Sequence, residues 1–165
     1  MWTIIKFDPK KINLLKEDLK KKLGKDFIIY RPKLLIQKYK NNKLINKEIA
    51  LLGNYIFCYH NRFNNHKIIC ELKYLRGIKY FLNGFLNNQS EIKIFIDKCK
   101  NLENEKGFIT SNLFEKHLNT YYKFRSGPFA EKIFKIIDLQ RDKIDILMGN
   151  IRTTIKTQKF LFSPV

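Results

Sequence analysis

The chain has 165 residues and a mass of 19.9 kDa, which suffices for one compact domain or two small ones and excludes a large multidomain enzyme. Lysine and arginine number 33 against 15 aspartate and glutamate, a formal net charge of +18. With 44% hydrophobic and 14% aromatic residues, the chain is expected to fold despite this charge and to attract anionic partners. Heavy use of lysine, asparagine and isoleucine is also typical of AT-rich genomes, so charge alone does not establish nucleic-acid binding.

The apolar segments are too short for a membrane span. The richest of them, residues 49–59, is interrupted by Gly53 and Asn54 and falls short of the ~20 residues that cross a bilayer. The N-terminal sequence MWTIIKFDPKK has neither the basic start nor the apolar run of a secretory signal. We therefore expect a cytoplasmic protein.

The first predicted elements are a strand and an amphipathic helix. Residues 2–7 are β-prone, Asp8 is a typical N-cap, and Pro9 suits the first helical position. Gly24 supplies the stop, and lysines occupy mainly the other side of the helix, which we interpret as a solvated face more readily than a phosphate-binding one. The apolar positions recur at spacings of three and four: Ile12, Leu15, Leu19 and Leu23.

The middle of the chain predicts further strands and two helices. Residues 34–39 and 44–52 form a hairpin around an Asn-Asn-Lys centre, and the aromatic run 55–60 is typical of a central strand covered on both faces. Asn64 or Asn65 caps a short helix, and Ser90 caps a longer one. The remaining predicted strands are 27–30 and 78–82, and the second helix carries the apolar stripe Ile92, Phe95, Ile96, Cys99 and Leu102.

The last third predicts a second, all-β domain. Residues 104–120 lose regular patterning and indicate a linker, with residual helical character in 111–118. Turn signals separate short β-branched runs in 121–165, as in a small five-stranded barrel. The fold class is thus α+β: an N-terminal mixed α/β sandwich, residues 1–103, with an antiparallel sheet and flanking helices, joined to that barrel. A helical hairpin remains an alternative for the last segment, because a helical period also fits Ile144, Leu147, Met148, Ile151 and Ile155.

Several motifs together resemble one family. WTIIKF before a helix, ALLGNYIFCY, LRGIKYFL, YKFRSGPFAEKIFKI and DILMGNIRTTI follow one another in the order of bacterial NusG-type transcription factors. The resemblance covers nearly the whole chain and implies a NusG N-terminal domain and a C-terminal KOW domain. Phe134 stands where the KOW pattern usually has glycine, a departure shared with RfaH-type members, which favours a specialised RfaH-like paralogue.

The resemblance implies that the N-terminal domain binds the clamp helices of RNA polymerase through an apolar depression. The positions that match are Leu51, Leu52, Tyr55 and Phe57. Gly53-Asn54 replaces the Pro-Gly of the family, and both residues tolerate the positive φ of a turn. The alternative is that Tyr55 and Phe57 are only core residues, since alternate strand residues point to opposite faces.

The resemblance also implies two further binding surfaces. The KOW domain would dock NusE, and through it the ribosome, or the termination factor Rho, as part of a transcription elongation or antitermination function. The residues expected to make this contact are Phe129, Leu147 and Met148. Non-template or upstream DNA is expected to lie against Lys6, Lys10, Lys11 and Arg76. The protein is expected to be a monomer without a membrane partner.

No catalytic constellation is evident in the sequence. The histidines lack a paired nucleophile or carboxylate nearby in the chain, and Cys58, His60 and Cys70 make an incomplete zinc set. Cys58, Cys70 and Cys99 lack CxxC spacing and lie in apolar patterns, so buried reduced thiols are predicted. We expect no enzyme activity, metal or cofactor. The competing function is a ribosome-associated basic RNA-binding protein that uses a KOW barrel, and a nuclease ranks last.

Overall fold

The computed structural model describes residues 1–109 and 115–165 of a mixed α/β chain. Its α-helices are α1 (Ile12–Leu23), α2 (His66–Leu72) and α3 (Gln89–Asn101), and 3-10 turns cover Pro9–Lys11 and Asn61–Asn64. Its strands are β1 (Trp2–Phe7), β2 (Ile28–Tyr30), β3 (Lys33–Lys40), β4 (Lys43–Ala50), β5 (Tyr55–Tyr59), β6 (Ile78–Phe81), β7 (Phe108–Ile109), β8 (Tyr121–Phe124), β9 (Ile133–Leu139), β10 (Lys143–Met148), β11 (Ile151–Lys156) and β12 (Phe162–Pro164).

The chain divides into two compact units that are not continuous in sequence. Unit 1 comprises Met1–Pro32 and Ala50–Lys100, and unit 2 comprises Lys33–Ile49 and Asn101–Val165. The predicted boundaries, 1–103, 104–120 and 121–165, stay a prediction. They differ from these units because the β3–β4 hairpin groups with the C-terminal residues.

Unit 1 is built on a four-stranded antiparallel sheet in the order β2-β5-β1-β6. Strand β5 lies between β2 and β1, which confirms its predicted interior position. Its register places Tyr55 opposite Lys6 and Phe57 opposite Ile4. Because side chains alternate along a strand, these four residues share one face of the sheet.

The two faces of this sheet are covered differently. On one face Ile5, Phe7, Ile56 and Cys58 are buried, and they share their core with apolar residues of α1 and α2. On the other face α3 packs against Phe57, whose ring lies 5.8 Å from that of Phe95. The side chain of Gln89, the first residue of α3, is hydrogen-bonded to β1. Its Oε1 accepts the Trp2 N–H at 2.9 Å, and its Nε2 donates to the Trp2 carbonyl at 2.8 Å.

Helix boundaries follow local chemistry. The Asp8 carboxylate accepts the Lys10 N–H before Pro9–Lys11 leads into α1, and Gly24 ends α1 at φ 87°. The Asn65 side chain caps α2 by accepting the Lys67 N–H, as predicted. The prediction that Ser90 caps α3 is wrong, because α3 already begins at Gln89 and Ser90 lies in its first turn. Ser90 has the chemistry of a cap, but the preceding residue is already helical.

Unit 2 contains a five-stranded antiparallel sheet in the order β11-β10-β9-β8-β12. The five predicted strands are all present, so residues 133–156 adopt strands and their turns rather than the helical-hairpin alternative. Burial alternates along β10, with Ile144 and Ile146 inside, as a half-buried strand requires. The core is aromatic and its fully buried members include Tyr122, Phe124 and Phe134. Phe134 thereby fills the core.

Unit 2 also contains the β3–β4 hairpin, which shares a three-stranded sheet with β7 in the order β4-β3-β7. Its two-residue turn is Asn41-Asn42, with φ of 50° and 58°, the positive values that a tight hairpin demands and that asparagine tolerates. Gln37 joins the hairpin to the β8–β9 loop: its N–H donates to the Arg125 carbonyl, and its Oε1 accepts the Gly127 N–H, both at 2.7 Å.

The predicted linker contains regular structure. Within 104–120, Phe108–Ile109 forms β7 and pairs in parallel with Lys33 and Leu34 of β3. Of the helical character predicted for 111–118, residues 111–114 lie outside the described residues, and 115–118 are not helical.

Candidate partner-binding surfaces

An apolar hollow lies on the α3-covered face of the unit 1 sheet. Its cavity volume is about 270 Å³, and its walls come from β1, the turn before β5, β5 itself and α3. The residues that line it are Ile4, Leu52, Phe57, Glu91, Ile92 and Phe95. Phe57 forms the floor, since only 3% of it is exposed, whereas Ile4, Leu52 and Phe95 are half-buried at the opening. An open hollow with one carboxylate and otherwise apolar walls suits an apolar side chain of a partner.

The four residues predicted to bind polymerase do not all line this hollow. Leu52 and Phe57 do, whereas Tyr55 lies one residue pair further along the same sheet face and Leu51 lies in the preceding turn. Phe57 also stacks on Tyr30 at 6.2 Å, so it belongs to the core as well as to the hollow.

Beside the hollow, the same face carries a polar aromatic group formed by Tyr55, Lys6 and Tyr80. The two tyrosine hydroxyls are hydrogen-bonded at 2.8 Å, and the Lys6 ammonium lies 4.1 Å above the centre of the Tyr55 ring. The hydrogen bond to Tyr55 raises the pKa of Tyr80. Lys6 of β1 lies between the two tyrosines, because it is paired with Tyr55 on the neighbouring strand β5 and with Tyr80 on the other neighbour, β6. This group extends the apolar hollow with hydroxyl groups and one cation.

The turn before β5 is held from several sides. Gly53 has φ 58° and its N–H donates to Ala50, while the Asn54 carbonyl accepts the Phe7 N–H at 3.0 Å. Arg31 donates from Nη2 to the Gly53 carbonyl at 3.0 Å. Of the Gly-Asn pair, Gly53 has positive φ and Asn54 does not, so the turn that the pair was expected to suit uses this conformation at Gly53.

Three of the four basic residues predicted to contact DNA come together at the start of α1. The Asp8 N–H donates to the Gly77 carbonyl at 2.8 Å, which brings the turn containing Lys10 and Lys11 next to the loop that carries Arg76. Lys10 and Lys11 are exposed. Lys6 lies apart from them on the sheet face.

The guanidinium of Arg76 is bound within the protein. Its Nε and Nη2 donate to the two carboxylate oxygens of Asp18 on α1, at 2.9 and 2.6 Å. These hydrogen bonds from Arg76 lower the pKa of Asp18. Part of the Arg76 charge is thereby neutralised, although 55% of its side chain stays exposed and can still meet an anion.

The three predicted contact residues of the C-terminal segment lie at one end of the unit 2 sheet. Phe129 is in the β8–β9 loop, and Leu147 and Met148 end β10, whose pairing of Leu147 with Lys135 places them near the start of β9. Phe129 and Leu147 are each 36% exposed, while Met148 packs partly on the core. Phe129 also packs on Phe124 at 5.7 Å.

The structure adds residues to these surfaces that the sequence motifs do not indicate. Tyr80 is exposed beside Tyr55, and Ile151 is 62% exposed across the turn from Met148. The hollow is further lined by Ile4, Glu91, Ile92 and Phe95. The apolar stripe of α3 predicts core residues, and its periodicity does not show that Phe95 is partly exposed. Alternation along β6 would have placed Tyr80 with Tyr55 once the strand order was known.

The histidines and cysteines do not assemble as considered from the sequence. Among residues 1–109 and 115–165, no three potential metal-ligating side chains converge. Cys58 and Cys99 are buried and reduced, as predicted, whereas Cys70 is only half-buried, so that part of the prediction is wrong. Cys70 Sγ lies 3.5 Å from Nδ1 of His66, one helical turn earlier, a pairing that the i, i+4 spacing could have indicated.

Comparison with known proteins identifies structural similarity only. No protein-family profile matches the chain, and no curated protein matches it significantly. Among solved structures, one of the MjSpt4:Spt5 complex, conformation B, matches at 11% identity and a TM-score of 0.30, covering 100% of this chain and 98% of the other. Thermotoga maritima NusG matches at 14% identity and a TM-score of 0.34, covering 94% and 91%. Both TM-scores lie below 0.5.

No helix formed by the described residues has both the length and the apolar character needed to cross a membrane.

Proposed function

We propose that this protein is a non-catalytic cytoplasmic transcription elongation or antitermination factor of the NusG type, with RfaH-like specialisation. Unit 1 binds a helical element of RNA polymerase, the clamp helices, through the apolar hollow. The C-terminal sheet acts as a KOW domain and recruits NusE with the ribosome, or Rho. Binding across the polymerase cleft would disfavour opening of the clamp and so reduce pausing.

The observation that carries this proposal is the hollow beside β5. A helix tip inserts a few apolar side chains and offers polar groups around them, and the hollow pairs an apolar floor at Phe57 with the hydroxyls of Tyr55 and Tyr80 at its side. Glu91 is the acidic group of the lining and would meet a basic residue at the rim of the partner.

The proposed recruiting surface has the same character on a smaller scale. Phe129 and Leu147 are apolar, partly exposed and placed at the same end of one sheet. Two such side chains, one in a loop and one near the end of a strand, are suited to anchor a partner, because exposed apolar groups are stabilised when a partner buries them.

The test is retention of the purified chain on core RNA polymerase. Leu52→Glu places a charge at the mouth of the hollow, and Tyr55→Ala removes the neighbouring ring. The matched control is Ile94→Glu, since Ile94 is an α3 residue that is 67% exposed and does not line the hollow. Loss of one buried leucine contact corresponds to roughly 2 kcal/mol, and hence to at least about a tenfold weaker affinity.

Two results would end the proposal. One is that the parent chain is not retained on polymerase at moderate salt. The other is that the Leu52→Glu and Ile94→Glu variants bind polymerase equally well, which would show that the hollow is not part of the interface.

A second candidate function is a ribosome-associated RNA-binding protein. The net charge of +18 favours it, because a strongly basic domain binds RNA through counterion release. Steeply salt-dependent RNA binding without affinity for polymerase would select this alternative.

A further inference from the structure

The β3–β4 hairpin ends in a strongly basic, uncovered tip, which we define as residues 40–47. Every residue of the tip is exposed, on both faces of the ribbon. Between Lys33 and Lys47 the sequence contains no acidic residue, while lysine occupies positions 38, 40 and 43. A two-stranded ribbon with neither face covered gains little from its own packing, so its exposed basic side chains are available to a partner.

The lysines of the hairpin fall into two groups. Lys33 and Lys38 face carboxylates, at 3.5 Å from Glu48 and 4.0 Å from Glu131. Lys40, Lys43 and Lys47 make no ion pair with any carboxylate in the part of the chain that the structure describes. The free positive charge of the hairpin is therefore concentrated at its tip.

The three free lysines also share a face. A two-residue turn at Asn41-Asn42 places Lys40 directly opposite Lys43, and the period of two puts Lys47 on the same side. Like charges directly opposite each other on a strand pair repel, and a phosphate between them would relieve that repulsion. The arrangement thus favours a polyanion over an uncharged partner.

The base of the hairpin is fixed within unit 2. Gln37 bonds to the Arg125 and Gly127 backbone, and the Tyr39 hydroxyl donates to the Pro128 carbonyl at 3.3 Å. These contacts fix the base of the hairpin, while the tip stays uncovered. A pre-positioned arm loses less conformational entropy on binding than a flexible loop of the same charge.

We propose that this tip is a DNA-binding arm that enters the major groove of duplex DNA. The major groove of B-form DNA is about 12 Å wide and admits a two-stranded β-ribbon. Lys40, Lys43 and Lys47 contact phosphates, and Ile45, which shares their face of the ribbon and is 41% exposed, lies toward the groove interior. This surface is separate from the apolar hollow, and the proposal stands whether or not the chain binds polymerase.

The experiment measures binding of the full chain to a 30-base-pair duplex DNA of arbitrary sequence by fluorescence anisotropy over a series of salt concentrations. The variant replaces Lys40, Lys43 and Lys47 together by alanine. The matched control replaces Lys16, Lys20 and Lys22, three exposed lysines of α1, and so removes the same charge elsewhere. A second hairpin variant with arginine at the three positions keeps the charge and controls for folding.

The expected result is specific to the hairpin. Each lost phosphate contact reduces the slope of log affinity against log salt by about 0.9, so the alanine variant should lose about two to three units of slope and roughly tenfold or more in affinity. The arginine variant should bind like the parent chain, and the α1 control should change the slope by less than about one unit.

Three outcomes would overturn the proposal. If both alanine triples weaken binding equally, net charge and not the arm is responsible. If the hairpin variant binds like the parent, the tip does not contact DNA. If duplex RNA, whose major groove is deep and narrow, binds equally well and loses as much on hairpin substitution, groove entry is excluded.

Discussion

Arg76 and Asp18 form a bidentate ion pair between the loop before β6 and helix α1, with N···O distances of 2.9 and 2.6 Å. The Arg76 backbone N–H points to the same carboxylate, at 3.4 Å. The pair therefore fixes both the side chain and the backbone of the loop to α1.

This pair makes stability depend on pH on the acid side. Arg76 holds the pKa of Asp18 below its usual value, so the stabilisation is present above the pKa of an unfolded aspartate, about 4, and is lost as the pH falls through the lower folded pKa. Asp18→Asn should lower the melting temperature at pH 7 and flatten its decline below about pH 4. Thermal denaturation followed by circular dichroism tests this. Asp97→Asn, which removes an exposed carboxylate on α3, should keep the parent profile.

Gly127 should tolerate no side chain. A Cβ there would lie 2.9 Å from two ring atoms of Phe160, and its φ of 81° is already unfavourable for alanine. Gly127→Ala is expected to cost roughly 1–3 kcal/mol in the free energy of unfolding, measured by urea denaturation. Gly149→Ala is the control, because Gly149 has φ 59° but nothing within 4 Å of the added Cβ. Equal losses in the two variants would show that the contact with Phe160 adds nothing.

The three cysteines should differ sharply in reactivity. Burial raises the pKa of Cys58 to about 12, so its thiolate is scarce at neutral pH, and Cys99 is also buried. Cys70 is partly exposed beside His66. Brief treatment of the native chain with iodoacetamide should alkylate Cys70 alone, as located by peptide mass spectrometry, whereas in denaturant all three should react. Modification of Cys58 before Cys70 would contradict the described packing.

The hydroxyl pair on the sheet face should be visible in tyrosine titration. The hydrogen bond between the Tyr80 and Tyr55 hydroxyls raises the pKa of Tyr80, so Tyr55→Phe should lower that pKa toward the ordinary value of about 10. Nuclear magnetic resonance of the labelled tyrosine rings can follow Tyr80 individually. Tyr59→Phe changes another β5 ring, one that is not hydrogen-bonded to Tyr80, and should leave the pKa of Tyr80 unchanged. An equally large shift of the Tyr80 pKa in this variant would show that the hydrogen bond with Tyr55 is not the cause.

Local sequence signals predicted the elements whose causes are local. The strand Trp2–Phe7, the Asp8 and Asn65 caps, the Gly24 stop and the Asn41-Asn42 turn all depend on residues within a few positions of one another. The five C-terminal strands were likewise marked by their turns.

Contacts between distant residues were the part that the sequence could not supply. The sequence motifs predict that Arg76 faces DNA, and they do not indicate its ion-pair partner Asp18, which lies 58 positions away. The predicted boundaries include the hairpin in the first domain, whereas Gln37 accepts a hydrogen bond from the Gly127 N–H, 90 positions away. The hollow depends on which face of the sheet α3 covers, and periodicity along α3 gives only the stripe that is buried.

The interleaving of the two units has a practical consequence for dissection of the protein. The backbone passes from one unit to the other three times, after Pro32, Ile49 and Lys100. A single protease cut near residue 100 would leave the hairpin on the N-terminal fragment, whereas its sheet neighbour β7 would be on the C-terminal fragment. Independent expression of the C-terminal piece therefore requires the hairpin to be grafted back, or supplied as a separate peptide, before its behaviour can stand for that of the whole chain.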